Sequence, residues 1–574
     1  MPDGPIWFGR RSRALFGWLH QPPAGAGAAV VLCPPVGIEA EAGRRALRRL
    51  AATLEPLGIA SLRFDYTATG DSAGHLGELV SASIWIDDVA AAIDQVRGLG
   101  AGPVGVVGLR LGALLSGLAL VDNSVADALV LWDPYERGRD FLRHQRLLAA
   151  VIESHGAVEN NDEVHLPAMS LSRRLADSVA KLELTAPPKP LARRLLLVGR
   201  SAEPSGEGTM RGLAHEGTDS LVAADEDQFL DVEPGAAILP LETLSRIARW
   251  LKGVFGNAQP HATPRRREGA WSIATVADDG DEKIREHPVR IEPGGMFGVV
   301  TEPPDTASVS RSVVLLNAGL ISHVGPGRLW VDLARQWARD GIRTLRLDLA
   351  GIGDSPPLPG QPRDVVYSRD GAHLVLAAVR SLALEDLRDV VIAGLCSGAY
   401  HAAECAIRLG TREVWLLSPG APDHGVTAGD EGTSADGIRA IRPMGRWARA
   451  ARANDALVAL LSNRLPASAW WLLDRLRLYP LPTRPFELLV KRGVRTLVVC
   501  NAAQASEFES RARWSLRRLR RATSFQLEVV KSMDHSLFGR EGRLAAMSIL
   551  AKRAHEMLLE VPGDAPSESQ GIPG

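Results

Sequence analysis

The chain has 574 residues, 45% hydrophobic and 23% charged, which suits a soluble globular protein of two domains. Its formal net charge of -1, with no sustained Lys/Arg run, excludes the electrostatic footprint of a nucleic-acid or acidic-membrane binder. Four scattered cysteines, Cys33, Cys396, Cys405 and Cys500, show no C-x-x-C and no histidine at metal-ligand spacing, so free thiols are expected, with no zinc site, other metal or disulfide framework.

The amino terminus, "MPDGPIWFGRRSRALFGWLHQPPAG", lacks a basic start followed by an apolar run and a cleavage site, and no run of eighteen apolar residues occurs anywhere. A cytoplasmic protein is expected. From Val30, "VVLCPPVGIEAEAGRRALRRLAATLEPLGIASLRFDYTATGDSAG" reads as a buried strand, a long amphipathic helix, and a second strand ending in Asp and a G-D-S turn. From Val104, "VGVVGLRLGALLSGLAL" reads as strand, tight glycine turn and helix, with Arg110 on the turn. A polar stretch rich in Pro, Arg and Asp then separates this half from the next, with a boundary near Asn257 to Arg265.

Beyond it the same pattern returns. "VVLLNAGLISHVGPGRLWVDLARQWARDGIRTLRLDLAGIGDSPP" begins at Val313, and "VVIAGLCSGAYHAAECAI" begins at Val390. The period of about 285 residues is far longer than a solenoid unit, so the chain is a duplicated domain. The expected division is 1–256 for the first domain, 257–282 for a linker leading into a fresh hairpin, 283–560 for the second domain and 561–574 for a disordered tail.

Alternating strands and helices with a glycine-flanked turn after a strand resemble the α/β-hydrolase fold, whose nucleophile elbow is G-x-S-x-G. The carboxyl half, with "LNAGLISHVGPGRLW", "LRLDLAGIGDSPPLPGQP" and "GLCSGAYHA", is similar to bacterial hydrolase-like proteins encoded with exosortase and natural-product systems. The amino half, with "FGWLHQPP", "LCPPVGIEAE", "RFDYTATGDSAG" and "GLRLGA", resembles their companion group. The resemblance implies two tandem domains with mostly parallel, doubly wound sheets, each with a helical cap. It also implies site residues.

Cys396, between Gly394 and Gly398, stands at the elbow, where the amino end of the following helix favours a thiolate. His535 in "LEVVKSMDHSLFGR" lies where this fold places its general base, after the nucleophile and just before the last helix. The third member is expected to be Glu507 in "TLVVCNAAQASEFES", with Glu509, Asp423 or no acid as alternatives; Asp534 should point away. The oxyanion hole falls to the amides of Ser397 and Leu320, with Gly319 as fallback. Asp354 should hold its own loop, and His401 and Cys405 should serve packing.

Arg110 occupies the nucleophile position of the first half, and "VAADEDQFLDVEPGAAILP" has no histidine where the second half has His535. A permanently charged guanidinium cannot attack a carbonyl, so this half is expected to be catalytically inactive. Arg110 is either a scaffold residue paired with Asp133 or a binder of a carboxylate, phosphate or sulfate. The stretch "GRWARAARANDALVALLSNRLPASAWWLLDRLRLYPLP", with Trp447, Trp470 and Trp471, should form an apolar lid over Cys396.

Attack of a thiolate on a thioester exchanges one thioester for another at little cost, so the expected activity is that of a thioesterase or acyltransferase. The expected substrate is a small acyl molecule, with an acyl carrier or CoA as its expected carrier, and no cofactor is expected. Ester or lactone hydrolysis is the alternative among enzymes. A non-catalytic binding or assembly module is the alternative of another class.

Overall fold

The structure, a computed structural model, describes residues 4–559 apart from 101, 122–125, 153–161, 186–188, 201–211, 257, 259–272, 280–281, 307–308, 310, 383, 385, 421–464 and 477–480. Most of the expected linker, the tail, Asp423 and Trp447 therefore lie outside the described residues. Among the described residues no helix is long and apolar enough to cross a membrane.

The first half builds an eight-stranded sheet from β1 (Gly4–Arg10), β2 (Arg13–His20), β3 (Ala28–Cys33), β4 (Ile59–Phe64), β5 (Val104–Leu109), β6 (Ala126–Trp132), β9 (Ala192–Gly199) and β10 (Thr218–Val222). The spatial order is β1-β2-β4-β3-β5-β6-β9-β10, antiparallel through β1, β2 and β4 and parallel beyond. Successive residues of β3 face opposite sides, and both sides are covered. Ala29, Val31 and Cys33 join the cluster under α2 (Ser83–Arg97) and α3 (Leu111–Val121), while Ala28, Val30 and Leu32 join that under α1 (Glu39–Leu54). Between β6 and β9 a cap is inserted: α4 (Gly138–Ile152), the hairpin β7 (Glu163–Leu166) and β8 (Met169–Ser172), and α5 (Arg173–Ala180). The half closes with α6 (Leu241–Phe255).

The second half repeats the plan in β11 (Ala274–Asp279), β12 (Glu282–Ile291), β13 (Met296–Glu302), β14 (Arg311–Leu316), β15 (Ile342–Leu347), β16 (Val390–Leu395), β17 (Glu413–Leu417), β18 (Arg495–Cys500) and β19 (Phe525–Val529). Their order is β11-β12-β13-β15-β14-β16-β17-β18-β19. The helices are α7 (Leu329–Arg339), α8 (Gly371–Ser381), α9 (Ser397–Leu409), α10 (Ala467–Arg475), α11 (Arg484–Lys491), α12 (Ala502–Leu519) and α13 (Arg540–Leu559). The described part of its cap is α10. There Trp470 is buried with Leu481 and Ala512 and Trp471 is largely exposed.

The second sheet begins inside 257–282, the stretch expected to be linker. Ala274 and Val276 of β11 turn inward onto a cluster that includes Trp7, Phe16 and Trp18 of the first half and Phe297 and Val299 of the second. A strand that buries alternate residues against both halves is part of the body.

The halves are joined by charged residues as well. Arg63 Nη2 of β4 donates to Asp354 Oδ1 across the interface at 2.6 Å, and Arg346 of β15, at the matching position, donates to Asp71. Asp354 thus pairs with the other half, where a role within its own loop was expected. Its neighbour Ser355 does that work by donating to the Asp348 carbonyl at 2.6 Å. Arg328 donates to the carbonyls of Ala68, Gly70, Ser72 and Gly74, so the G-D-S turn of the first half is gripped by one side chain of the second.

Candidate active site

Strand β16 ends at Leu395, and the chain turns into α9 through Cys396 at φ 55° and ψ -115°. A side chain at that φ is strained, and only close packing on every side holds it there. The flanking glycines permit that packing. A Cβ on Gly394 would lie 2.3 Å from the Gly398 carbonyl carbon, and one on Gly398 would lie 2.4 Å from the Asn317 oxygen. The turn thus presents a half-buried sulfur at the carboxyl end of the parallel sheet.

His535 sits in the loop between β19 and α13, and its Nε2 lies 3.1 Å from Cys396 Sγ. The loop is held from several directions. The Asp534 carboxylate accepts from the amides of Phe538 and Gly539, both at 2.9 Å. Arg543 Nη1 donates to the carbonyls of Leu537 and Phe538 at 3.1 and 2.8 Å.

Burial pushes the Cys396 thiol up, with the Ser397 amide and the Tyr367 hydroxyl at the sulfur pulling the other way and Glu233 adding to the rise. This reverses the expectation from the helix amino end alone. One amide and one hydroxyl do not outweigh the cost of desolvating a thiolate. At 3.1 Å, His535 Nε2 is within reach of the Cys396 thiol proton.

Ser397 N–H points at the Cys396 sulfur. Gly319 N–H donates to Ser397 Oγ at 2.9 Å, which removes the fallback and seats the 319–320 turn beside the first turn of α9. Among the described residues the Leu320 amide finds no acceptor.

Glu507 lies on α12 with Oε1 2.7 Å from Arg511 Nη1, and Glu509 is 2.6 Å from Arg520 Nη1, so each carboxylate is taken by an arginine of its own surroundings. An i to i+4 pair on one helix face forms locally, and it holds Glu507 to α12. His401 is buried with Nε2 3.0 Å from the Val366 carbonyl, and Cys405 is buried in the core, so both serve packing.

Two residues escaped the sequence reading. Tyr367 comes from the long connection after β15, where no periodic pattern marks it, and its hydroxyl bonds the Cys396 sulfur. Glu233 comes from the first half, and Ser536 Oγ donates to its Oε1 at 2.9 Å. The first half therefore borders the site of the second.

Its own elbow is closely matched. Arg110 has φ 54°, and its amide donates to the Trp132 carbonyl at 3.0 Å as the Cys396 amide donates to the Leu417 carbonyl at 3.0 Å. Its guanidinium lies 2.7 Å from Asp231, 3.4 Å from Asp133 and 3.5 Å from Glu39, and Arg200 shares the two aspartates. Three carboxylates against two guanidiniums leave no field for an anion, which corrects the anion-binding expectation. The atoms of Glu39, His144 and Asp231 come close enough to hold a cation, and Arg110 already supplies one there.

The sheet order, the strained elbow at the strand ends and the late histidine loop together place the chain among known proteins. Residues 313–547 match the Alpha/beta hydrolase family. The chain has the α/β-hydrolase fold, in two sheet-containing bodies with mostly parallel strands and covering helices. Among solved structures it is similar to Est1E from Butyrivibrio proteoclasticus, with 15% identity and a TM-score of 0.32 over 44% of this chain and 98% of that one. An esterase from Pyrococcus furiosus has 16% identity and a TM-score of 0.32 over 44% and 91%. A dienelactone hydrolase from Anabaena variabilis has 14% identity and a TM-score of 0.29 over 47% and 96%. No curated protein matches the chain.

Proposed function

We propose that the second half is an acyl-cysteine enzyme, a thioesterase or acyltransferase for an acyl group carried on CoA or an acyl carrier. The observation that carries this reading is the 3.1 Å approach of His535 Nε2 to Cys396 Sγ on a strained elbow. His535 takes the thiol proton as Sγ bonds to the acyl carbon, and the carbonyl electrons move to an oxygen facing the Ser397 and Leu320 amides. Collapse breaks the bond to the departing thiolate, which receives the proton from His535. Water or an acceptor hydroxyl or amine then attacks the acyl-cysteine, giving its proton to His535, and the proton returns to Sγ as the acyl group leaves. The first half keeps the elbow without the chemistry and lends Glu233 to the rim. On this reading the chain works in the cytoplasm, where a free thiol stays reduced.

The same steps with an alkoxide leaving group describe ester or lactone hydrolysis. A non-catalytic assembly module is favoured by two observations: the raised thiol and the engagement of Glu507 by Arg511. The experiment that separates these is intact-protein mass spectrometry after incubation with acyl thioesters and activated esters. A covalent adduct lost in Cys396→Ala is the expected result, and its mass reports the acyl class. Absence of adduct and turnover with every donor would transfer the assignment to the assembly module.

A further inference from the structure

Between the two halves lies a cavity of about 240 Å3 that neither Cys396 nor His535 lines. Five guanidiniums border it, and all are engaged. Arg44 pairs with Asp65 at 2.9 Å, Arg63 with Asp354 at 2.6 Å and Arg540 with Glu163 at 2.5 Å. Arg328 and Arg543 are committed to backbone carbonyls. Three of the five are thus paired with a carboxylate, and the other two are held by carbonyls.

The carboxylates are not balanced in the same way. Asp332 is 3.7 Å from Arg328, whose N–H groups are directed at carbonyls. Glu41, on the first turns of α1, has no side-chain hydrogen bond or ion pair among the described residues, because Arg44 turns to Asp65 instead. Burial pushes the Glu41 carboxyl up to about 7, which Arg44 reduces and Asp65 increases. An acid in that position is stabilised by any cation that reaches it. The wall also carries apolar side chains, among them Leu47, Met169, Leu544 and Met547.

We propose that this cavity binds a small organic ammonium ion, with its charge against Glu41 and Asp332 and its apolar body against Leu47, Met169 and Met547. An apolar cavity of about 150 Å3 admits benzene, so the larger space here suits an arylalkylamine. The guest would rest on the frame of the candidate site without entering it. Arg543 borders the cavity and ties down the loop that carries His535. The inference stands whatever chemistry Cys396 performs.

Calorimetric titration of the full chain at pH 8, where Glu41 is ionised, tests it with 2-phenylethylamine, 2-phenylethanol and phenylacetate. The amine is expected to bind at least tenfold more tightly than the alcohol, and phenylacetate not at all. Glu41→Gln is expected to lose tenfold or more for the amine and nothing for the alcohol. Met547→Trp fills the space and is expected to abolish amine binding, which decides the matter should the Glu41 variant fail to fold. Equal affinity for amine and alcohol, no saturable heat from the amine, or unchanged binding in the Met547 variant would overturn the proposal.

Discussion

His323 of the second half bridges to Asp71 of the first, Nε2 to Oδ2 at 2.8 Å, while its Nδ1 lies 2.9 Å from Asp348 of its own half. All three side chains are fully buried. Burial alone would lower the imidazole, but Asp348 and Asp71 outweigh it and hold His323 up at about 10, so it is a cation clamped between two carboxylates.

That clamp makes the interface sensitive to alkali. In the unfolded chain the imidazole titrates near 6.5, so the stabilisation is complete below about pH 6.5 and is lost as pH rises through about 10. Thermal melts between pH 7 and 10.5 are expected to show Tm falling across that window. His323→Gln should lower Tm at neutral pH by an amount equivalent to about 3–5 kcal/mol, since two carboxylates lose their partner, and should flatten the alkaline limb. A parent Tm that is flat to pH 10.5 would refute the clamp.

The Cys396 thiol should be alkylated at pH 8 well ahead of the other three cysteines. Cys33, Cys405 and Cys500 are buried, and burial pushes them up to about 12, 12 and 11. The pH midpoint of Cys396 labelling by iodoacetamide should move up in Tyr367→Phe, which removes a donor to the thiolate. It should move down in Glu233→Gln, which removes a nearby negative charge. Midpoints that coincide in all three proteins would show that neither group acts on the sulfur.

Two acids should differ in effect. Glu507→Gln is expected to leave the rate of acyl-adduct formation within about twofold of the parent, because Glu507 is held by Arg511. Asp534→Ala removes two caps from the loop of His535 and should slow it by about 10- to 100-fold. The reverse ranking in single-turnover kinetics would restore Glu507 as the partner of His535.

Arg110→Cys places a thiol on the first elbow and should still yield no acyl adduct there, since the loop that matches the His535 loop has no histidine and His144, on α4, is turned to Glu39 and Asp231. The variant also leaves Glu39, Asp133 and Asp231 short of a cation and is expected to cost about 3–5 kcal/mol in urea unfolding. An unchanged midpoint would show that Arg110 is not structural.

What could be read from the residues was what depends on local pattern. Buried strands such as β3 and β16 announce themselves as apolar runs, and Cys396 is marked by Gly394 and Gly398, which close packing demands. His535 followed from chain order. Properties set by distant partners were hidden. Nothing in "GIGDSP" indicates that Asp354 meets Arg63 of the other half, and nothing near Tyr367 indicates that it reaches the sulfur. The thiol was misjudged for a related reason: the helix end is visible in the sequence, but the burial that opposes it is not.

The exchanged pairs Arg63 with Asp354 and Arg346 with Asp71 carry a consequence for origin. Each half offers one arginine and one aspartate at equivalent positions, so two identical copies of a single ancestral domain could satisfy both pairs about a two-fold axis. The interface has the grammar of a C2 homodimer written into one chain. Across that pseudo-symmetry the elbows differ, one carrying a thiol and the other a guanidinium, while the pairing that joins the halves is common to both.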